Sequence, residues 1–335
     1  MDLSIIIINY NSKKLLSDCL SSFFDFRPVL KFEIIVVDNN SNDQSKEEIT
    51  ARFPDLTWID MGYNAGFSRA NNKGIKIARG KYILLLNADT LFISNILDNL
   101  INQFDHLFDY SALGVQLLNT DGSKQNSGAK FVMGGLNNIL QLPYIGDLAR
   151  YVAYSIGMKN PNVVSSASFE SVGWISGAFL CVRAESIEKA GLMDEDFFLY
   201  SEEIEWCSRL EIYGKLGIVG DLSIIHIGSG STQSLTNDKE HNYKNISDKK
   251  GRQVLVSNFL RMKKQFGVFW TLILFGFYLL ELVVFPIGLI IENIIHLKNP
   301  FANFNLVIGF YKNMIVLFRN IISILFGINK LYKVI

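Results

Sequence analysis

Cysteine is scarce in this sequence, and so is net charge. The 335 residues include three cysteines, Cys19, Cys181 and Cys207, which are odd in number, far apart and without a C-x-x-C pair. That argues against a disulfide frame or a zinc site and for a reducing compartment. Lys plus Arg and Asp plus Glu each number 32, so the formal net charge is zero and no global field draws in nucleic acid. A basic leader region is missing at the N-terminus, and Leu3–Ile8 is too short for the apolar core of a signal peptide. A cytoplasmic origin is therefore expected. Phosphate-binding glycines are missing too. The first strand–helix turn reads Asn9-Tyr10-Asn11-Ser12, with neither G-x-G-x-x-G nor G-x-x-x-x-G-K, which sets aside Rossmann oxidoreductases and P-loop NTPases.

What the chain does have is apolar runs that end in polar clusters. Tyr82–Leu86 runs straight into Asn87-Ala88-Asp89-Thr90, and such a run reads as a strand buried on both faces. Leu3–Ile8 is another, after which Ser12 can cap a helix through about Phe24. Phe32–Val37 ends in Asp38-Asn39-Asn40-Ser41-Asn42-Asp43, and Leu56–Ile59 is a shorter strand. Gly66–Arg79 reads as a helix stopped by Gly80. This alternation predicts an α/β fold with a parallel sheet and right-handed crossovers. Ligands of such sheets collect past the carboxyl ends of the strands, where Asp38 and Asp89 both fall. Two carboxylates at one edge suit a phosphate-bearing ligand held partly through a divalent cation. Asp89 has a second reading, as a cap for a helix over Phe92–Leu107.

Further on, Val115–Leu118, the turn Asn119-Thr120-Asp121-Gly122 and Ser123–Val132 predict a strand, a turn and a return strand. Residues 134–168 show little periodicity and read as a long, mobile excursion of the kind that covers a site. Val172–Leu180 is strand-like, with small residues where a ligand or another backbone must come close. Asp194-Glu195-Asp196 and three aromatics, Phe197, Phe198 and Tyr200, precede Ser201-Glu202-Glu203 at the start of a helix. A serine cap with acids in the first turn is also how any stable helix begins. Ser223–Ile227 is a strand carrying His226, a residue that packing alone could explain, followed by Gly228-Ser229-Gly230-Ser231.

Taken in order, these motifs resemble the family 2 glycosyltransferases. They are Ile-Ile-Ile-Asn-Tyr-Asn-Ser, Ile-Ile-Val-Val-Asp-Asn-Asn-Ser-Asn-Asp, Asn64-Ala65-Gly66-Phe67 with Ala70-Asn71-Asn72, Leu-Leu-Leu-Asn-Ala-Asp-Thr, Phe-Phe-Leu-Tyr-Ser-Glu-Glu-Ile-Glu-Trp-Cys and His-Ile-Gly-Ser-Gly-Ser. The resemblance covers roughly residues 3–231. It implies a GT-A fold, a Rossmann-like mixed and mostly parallel sheet flanked by helices, and inversion at the transferred sugar. Rhamnosyltransferase-like members of bacterial surface polysaccharide synthesis are the nearest in pattern, which favours rhamnose from a thymidine diphosphate donor.

Carried onto this sequence, the resemblance implies a nucleotide-diphosphate sugar held by Asn9, Asp38, Asn40, Asn64, Gly66, Phe67, Asn71 and Asn87, with Asp38 on the base. Asp89 would hold a divalent metal, Mg2+ or Mn2+, and His226 would help hold that metal or the diphosphate. Trp174, Ser176 and Gly177 would meet a glycan or polyprenyl-diphosphate-linked acceptor, and Glu203 would be the catalytic base. Two positions depart from the pattern. The D-x-D-like motif reads Asn87-Ala88-Asp89, leaving one carboxylate for the metal, and Glu-Glu stands where many relatives have Glu-Asp, so Glu202 stays open as the base. The residue types fit the chemistry, which needs a carboxylate near the attacking hydroxyl and a cation beside a diphosphate leaving group.

The tail changes character. Lys244, Lys249, Lys250, Arg252, Arg261, Lys263 and Lys264 form a basic cluster suited to an anionic membrane surface, at about 1 kcal/mol per residue. Val268–Ile291 is long enough to span a bilayer, with Glu281 its only charge and Pro286 placed to bend it. Asn305, Lys312 and Arg319 recur every seven residues opposite Phe304, Ile308, Tyr311, Ile315, Phe318 and Ile322, an amphipathic helix. A single span would leave Lys298, Lys312, Arg319, Lys330 and Lys333 outside, against the positive-inside tendency. We therefore expect a catalytic domain over 1–235, a basic juxtamembrane helix over 236–266, and membrane-associating helices over 267–335. These would be monotopic on the cytoplasmic face of the inner membrane; a soluble helical subdomain or oligomer interface is the alternative. Competing functions are a nucleotide-sugar-binding scaffold without catalysis, and a glycoside hydrolase. The hydrolase would need two carboxylates roughly 5–10 Å apart across the bond, whereas Glu202 and Glu203 diverge by about 100° on a helix.

Overall fold

In the computed structural model, which describes residues 1–130, 135–157, 162–166, 168–228, 246–328 and 330–335, the apolar runs become strands separated by helices. The first half is β1 (Leu3–Asn9), α1 (Lys13–Asp25), β2 (Phe32–Asp38), α2 (Ser45–Arg52), β3 (Thr57–Asp60), α3 (Phe67–Ile75), β4 (Tyr82–Asn87), β5 (Thr90–Leu91), α4 (Leu97–His106) and β6 (Tyr110–Leu118). Then come β7 (Gly128–Ala129), a 3-10 turn (Gly135–Gln141), α5 (Ile145–Ser155), β8 (Phe169–Val172), β9 (Trp174–Ile175), β10 (Phe179–Arg183), α6 (Ala184–Ala190), α7 (Glu202–Leu210) and β11 (Lys215–His226). Two long helices end the chain, α8 (Lys249–Ile295) and α9 (Phe304–Leu325).

The described residues fall into two compact units. The first draws on 1–132, 161–198 and 202–237, and the second on 133–160, 199–201 and 238–335. The first is built on a nine-stranded sheet of order β3-β2-β1-β4-β10-β6-β11-β5, with β8 on β11. The β1–β2, β1–β4, β2–β3 and β6–β11 pairs are parallel; β10 runs antiparallel to both its neighbours, making the sheet mixed. Alternation explains the unbroken apolar runs. Leu3, Ile5 and Ile7 of β1 and Leu84 and Leu86 of β4 face one core, while Ile6, Ile83 and Leu85 face the other.

Several local expectations change. Ser12 does not cap α1: its hydroxyl donates to Tyr10 O at 2.8 Å, and Asp43 instead accepts from Lys13 N at 2.9 Å. Burial pushes Asp43 up, but the Ser45 hydroxyl and the Lys13 and Ser45 amides outweigh it, and the carboxyl sits below the ordinary range. α3 ends at Ile75 rather than Arg79, whose amide donates to Glu33 Oε1 at 2.8 Å. β5 follows Asp89 directly and α4 begins only at Leu97, so Asp89 is not a helix cap. The turn after β6 forms, with Leu118 bridging Lys124, but the return strand shrinks to β7, which pairs with β9 rather than β6. Residues 131–132 of that predicted strand lie outside the described residues. Val172–Leu180 likewise breaks into β8, β9 and β10.

The second unit gathers what the sequence presented as separate pieces. The stretch 134–168, expected as an irregular excursion, supplies the 3-10 turn and α5, which pack with α8. α8 is interrupted at Gly267, whose φ of 85° and ψ of 176° are open essentially to glycine alone. Beyond it α8 reaches a mean hydropathy of 2.3, and α9 reaches 1.4; both are long and apolar enough to cross a membrane by length and composition. α9 packs inward with Val307, Phe310, Met314, Leu317, Ile321 and Ile324. The expected apolar face, Ile308, Tyr311, Ile315, Phe318 and Ile322, is exposed, so α9 is apolar on two sides. In the basic cluster Arg261 is buried and Arg252 is bound to Asn313 Oδ1 at 2.9 Å, which leaves less charge facing outward than the sequence suggests. Lys244 lies outside the described residues.

Leu199–Ser201 also belong to this unit. Ser257 Oγ donates to Leu199 O at 2.7 Å and Ser201 Oγ to Asn258 Oδ1 at 2.7 Å. Between these contacts Tyr200 and Ser201 hold φ of 70° and 68°, two successive left-handed residues without a glycine. Such residues cost about 1–3 kcal/mol each and persist where the surroundings over-determine them.

Candidate active site

Register brings the polar strand ends together. Asn9 pairs with Asp38 across β1 and β2, and Ile8 with Asn87 across β1 and β4, so the three polar residues line one carboxyl edge. Asn9 is fully buried, and its amide nitrogen lies within hydrogen-bond distance of Asp38 Oδ1 (2.7 Å), Ser41 Oγ (3.0 Å) and Ser45 Oγ (2.7 Å). It therefore orients Asp38, whose other oxygen accepts from Ser41 N at 2.8 Å. Asn40, exposed and left-handed with φ of 68°, stands at the lip of this turn.

Asn39, which sequence reasoning left out, links the edge to the next motif. Its amide nitrogen donates to Gly66 O at 3.1 Å and its Oδ1 accepts from Ala65 N at 3.2 Å. Asn64 Oδ1 accepts from Gly66 N at 3.2 Å, and Asn71, buried, donates to Phe67 O at 3.0 Å. These two asparagines shape the turn and α3. Gly66 has φ of 83° and ψ of −178°, and a Cβ there would stand 2.3 Å from Phe198 O, the oxygen that accepts from Phe67 N at 2.8 Å. Gly66→Ala is thus expected to cost roughly 2–4 kcal/mol from backbone strain plus the clash. A lowered urea midpoint measures it, and an unchanged one would refute the described turn.

Phe198, which clasps the Gly66 turn, stands four residues ahead of the first of the paired glutamates, Glu202. Glu202 is 3% exposed and Glu203 is partly exposed. A Cβ on Gly177 would lie 3.5 Å from the Phe67 ring and 3.7 Å from Glu203 Cβ, so Phe67, Gly177 and Glu203 meet. Ser176 accepts from Ala178 N at 3.3 Å, and Ala178 O accepts from Asn87 N at 3.0 Å, tying this corner back to β4. Trp174, half-buried, sits two residues upstream in β9.

Asp89 and His226 are brought together by β5 and β11, where His226 pairs with Thr90 and Ile227 N donates to Asp89 O at 2.9 Å. His226 Nε2 lies 3.4 Å from Asp89 Oδ1 and 3.4 Å from Asn87 Nδ2. Gln125 sets the ring. Its Nε2 donates to His226 O and Asn119 Oδ1, each at 2.6 Å, which fixes its Oε1 as the end 2.9 Å from His226 Nδ1. Nδ1 is thus placed to donate to Gln125, and in the neutral ring that tautomer turns the Nε2 lone pair to the Asp89 side. A lone pair facing a carboxylate at this distance fits a cation between them, since cis ligands of an octahedral ion at about 2.1 Å stand roughly 3 Å apart. Among the described residues no group of three or more His, Cys, Asp and Glu gathers around a metal position. As ligands, these two residues would leave the remaining positions to water or phosphate oxygens, as Mg2+-type sites do. Beneath them Cys19 packs against Thr90, and burial pushes its thiol up to about 12, an uncharged packing group. Gln125 had no signal in the sequence because its partner, His226, lies far along the chain. The Ser229-Gly230-Ser231 end of the last motif lies outside the described residues.

Comparison with known proteins gives the same direction. Residues 4–158 match the family model described as glycosyl transferase family 2. A low-salt glycan biosynthesis hexosyltransferase of Haloferax volcanii is 28% identical over 212 residues, 62% of this chain and 61% of that protein. An N-acetylglucosaminyl-diphospho-decaprenol L-rhamnosyltransferase of Mycobacterium tuberculosis is 26% identical over 221 residues, 62% of this chain and 69% of the relative. The chain therefore spans less than two thirds of the length of the Haloferax protein. A solved mannosyltransferase of Pyrobaculum calidifontis, in complex with GDP-Man and Mn2+, matches with a TM-score of 0.51 at 14% identity, over 94% of this chain and 86% of its own. At that identity the likeness is one of fold, the GT-A sheet.

Proposed function

We propose that the chain, residues 4–158 of which match the glycosyl transferase family 2 model, moves a sugar, with inversion, from a nucleotide-diphosphate donor to a lipid-linked or polysaccharide acceptor. The observation that carries this reading is the placement of Asp89 beside His226, 3.4 Å apart, at the sheet edge that also holds Asp38 and Asn87. Asp89 and His226 Nε2 would hold Mg2+ or Mn2+. When bound, that ion stabilises the charge growing on a diphosphate leaving group. Asp38, oriented by Asn9, receives the nucleotide base, and the turn Asn64–Phe67 lines the donor side. Glu203 takes the proton of the acceptor hydroxyl as that oxygen bonds to the anomeric carbon. The carbon–diphosphate bond breaks on the opposite face, so one displacement inverts the centre and needs no enzyme nucleophile. Trp174, Ser176 and Gly177, beside Glu203, form the acceptor side.

Rhamnose and a polyprenyl-diphosphate-linked acceptor are the finer reading, supported by the sequence motifs and by the name of the Mycobacterium relative. An acceptor of that kind lies in a membrane, and the exposed apolar residues of α8 and α9 suit attachment to its cytoplasmic surface without a span. Screening nucleotide-diphosphate sugars for protection against thermal unfolding tests the reading. One donor should raise Tm, more with Mn2+ than without, and support transfer giving the inverted anomer by NMR. A chain that no nucleotide sugar stabilises, or a product with retained configuration, would overturn it.

A further inference from the structure

The single charge in the apolar part of α8 has a use that its sequence position does not reveal. Glu281 is fully buried, and its two oxygens accept from Tyr144 N at 3.0 Å and Ile145 N at 3.1 Å, the amides of the N-cap residue and first residue of α5. A carboxylate at a helix start satisfies orphan donors and opposes the positive end of the dipole. Neighbouring contacts fasten the same segment along α8. Tyr278 donates to Asn138 O at 3.1 Å, Tyr144 donates to Glu292 Oε2 at 2.7 Å, and Gly288 leaves space for the Tyr144 ring, which a Cβ would meet at 2.9 Å. α5 is thus fixed to the middle of the apolar run Val268–Ile291.

Its outward residues do not suit water. Leu148 is 65% exposed and Tyr151 72%, and Val152, Tyr154 and Ile156 are exposed with them, while Gly146 is the one residue α5 buries. An isolated helix of this length is marginal in water. Asp147 and Arg150 pair with each other on α5, so the helix presents no net charge from them. We infer that α5 is a third membrane-docking element, lying in the head-group and upper acyl zone of a lipid bilayer beside α8 and α9. The proposal rests on the membrane attachment proposed above and adds a segment from the middle of the chain to it. A bilayer is the occupant because three separate helices of one unit carry outward apolar residues: Leu280, Val283, Ile287 and Ile291 on α8, and Ile308, Tyr311, Ile315, Phe318 and Ile322 on α9. Tyrosines at 151 and 154 have the apolar body and polar tip favoured at the membrane–water boundary.

The test uses the full chain with one environment-sensitive fluorophore on an introduced cysteine, since Cys19, Cys181 and Cys207 are buried. Tyr151→Cys reports α5, Ile315→Cys reports α9, and Ile212→Cys reports an exposed residue of the first unit. With vesicles of phosphatidylethanolamine and phosphatidylglycerol, labels at 151 and 315 should brighten several-fold and be quenched by shallow spin-labelled lipid, while 212 does not change. Tyr151→Asp with Tyr154→Asp should lower vesicle partitioning by roughly tenfold or more, from lost apolar burial, with donor-induced thermal protection unchanged. Lipid contact at 315 with water around 151 would overturn the role of α5 alone. Water at both would overturn the membrane reading with it. Brightening at 151 that follows protein concentration without vesicles would assign the face to a second copy instead.

Discussion

Exchanging Glu203 for glutamine is expected to lower sugar transfer by about 10²–10⁴-fold, the usual worth of a positioned general base. The substitution keeps the shape and removes the ability to accept the acceptor's proton. Donor-induced thermal protection should stay near wild type, because the residues assigned to the donor lie on other elements. Glu202→Gln should do much less to the rate. Glu202 is 3% exposed, whereas Glu203 is partly exposed and its stem reaches the Gly177–Phe67 corner. Single-turnover rates with saturating donor and acceptor make the comparison. If the ranking reverses, the base moves to Glu202; if neither variant slows transfer, neither glutamate is the base; a wild-type chain that binds donor and transfers nothing is a scaffold.

Asp89→Ala should cost several kcal/mol of transition-state stabilisation, on the order of a thousandfold in rate. It removes a carboxylate at a strand edge and leaves the backbone bond from Ile227 N to Asp89 O available, so the sheet should hold. Circular dichroism and Tm would remain close to wild type, while the Mn2+-dependent part of donor protection disappears. A variant that still transfers at most of the normal rate, or wild-type transfer that ignores excess chelator, would end the assignment of Asp89 to a metal.

Much of the sheet was legible because strands buried on both faces carry unbroken apolar runs. β1, β2 and β4 sit within a residue or so of Leu3–Ile8, Phe32–Val37 and Tyr82–Leu86, and their polar ends mark the site edge. Local chemistry was less reliable where tertiary partners compete. Ser12 and Ser201 look like caps, yet Asp43 from the next turn serves α1, and Ser201 turns to Asn258. The α9 prediction assigned its apolar residues to one face, but a helix apolar on two sides hides its packing face from periodicity. The segment 134–168 looked irregular because α5 depends on Glu281, far along the chain, for its first hydrogen bonds. Gln125 and Asn39 escaped notice for the same reason: their roles exist only after distant strands have paired.

The left-handed pair Tyr200–Ser201 bears on how such a chain could be inherited. Leu199–Ser201 are joined by covalent bonds to Phe198 and Glu202, residues of the first unit, yet their hydrogen bonds go to Ser257 and Asn258 at the front of α8. The helical tail is therefore not a cassette that recombination could trade freely between relatives. An exchange joined after Gly267 would carry over the residues that hold this bend, whereas one joined ahead of Lys249 would replace both and release the two residues immediately before Glu202. Crossovers that survive selection should fall on the far side of Asn258.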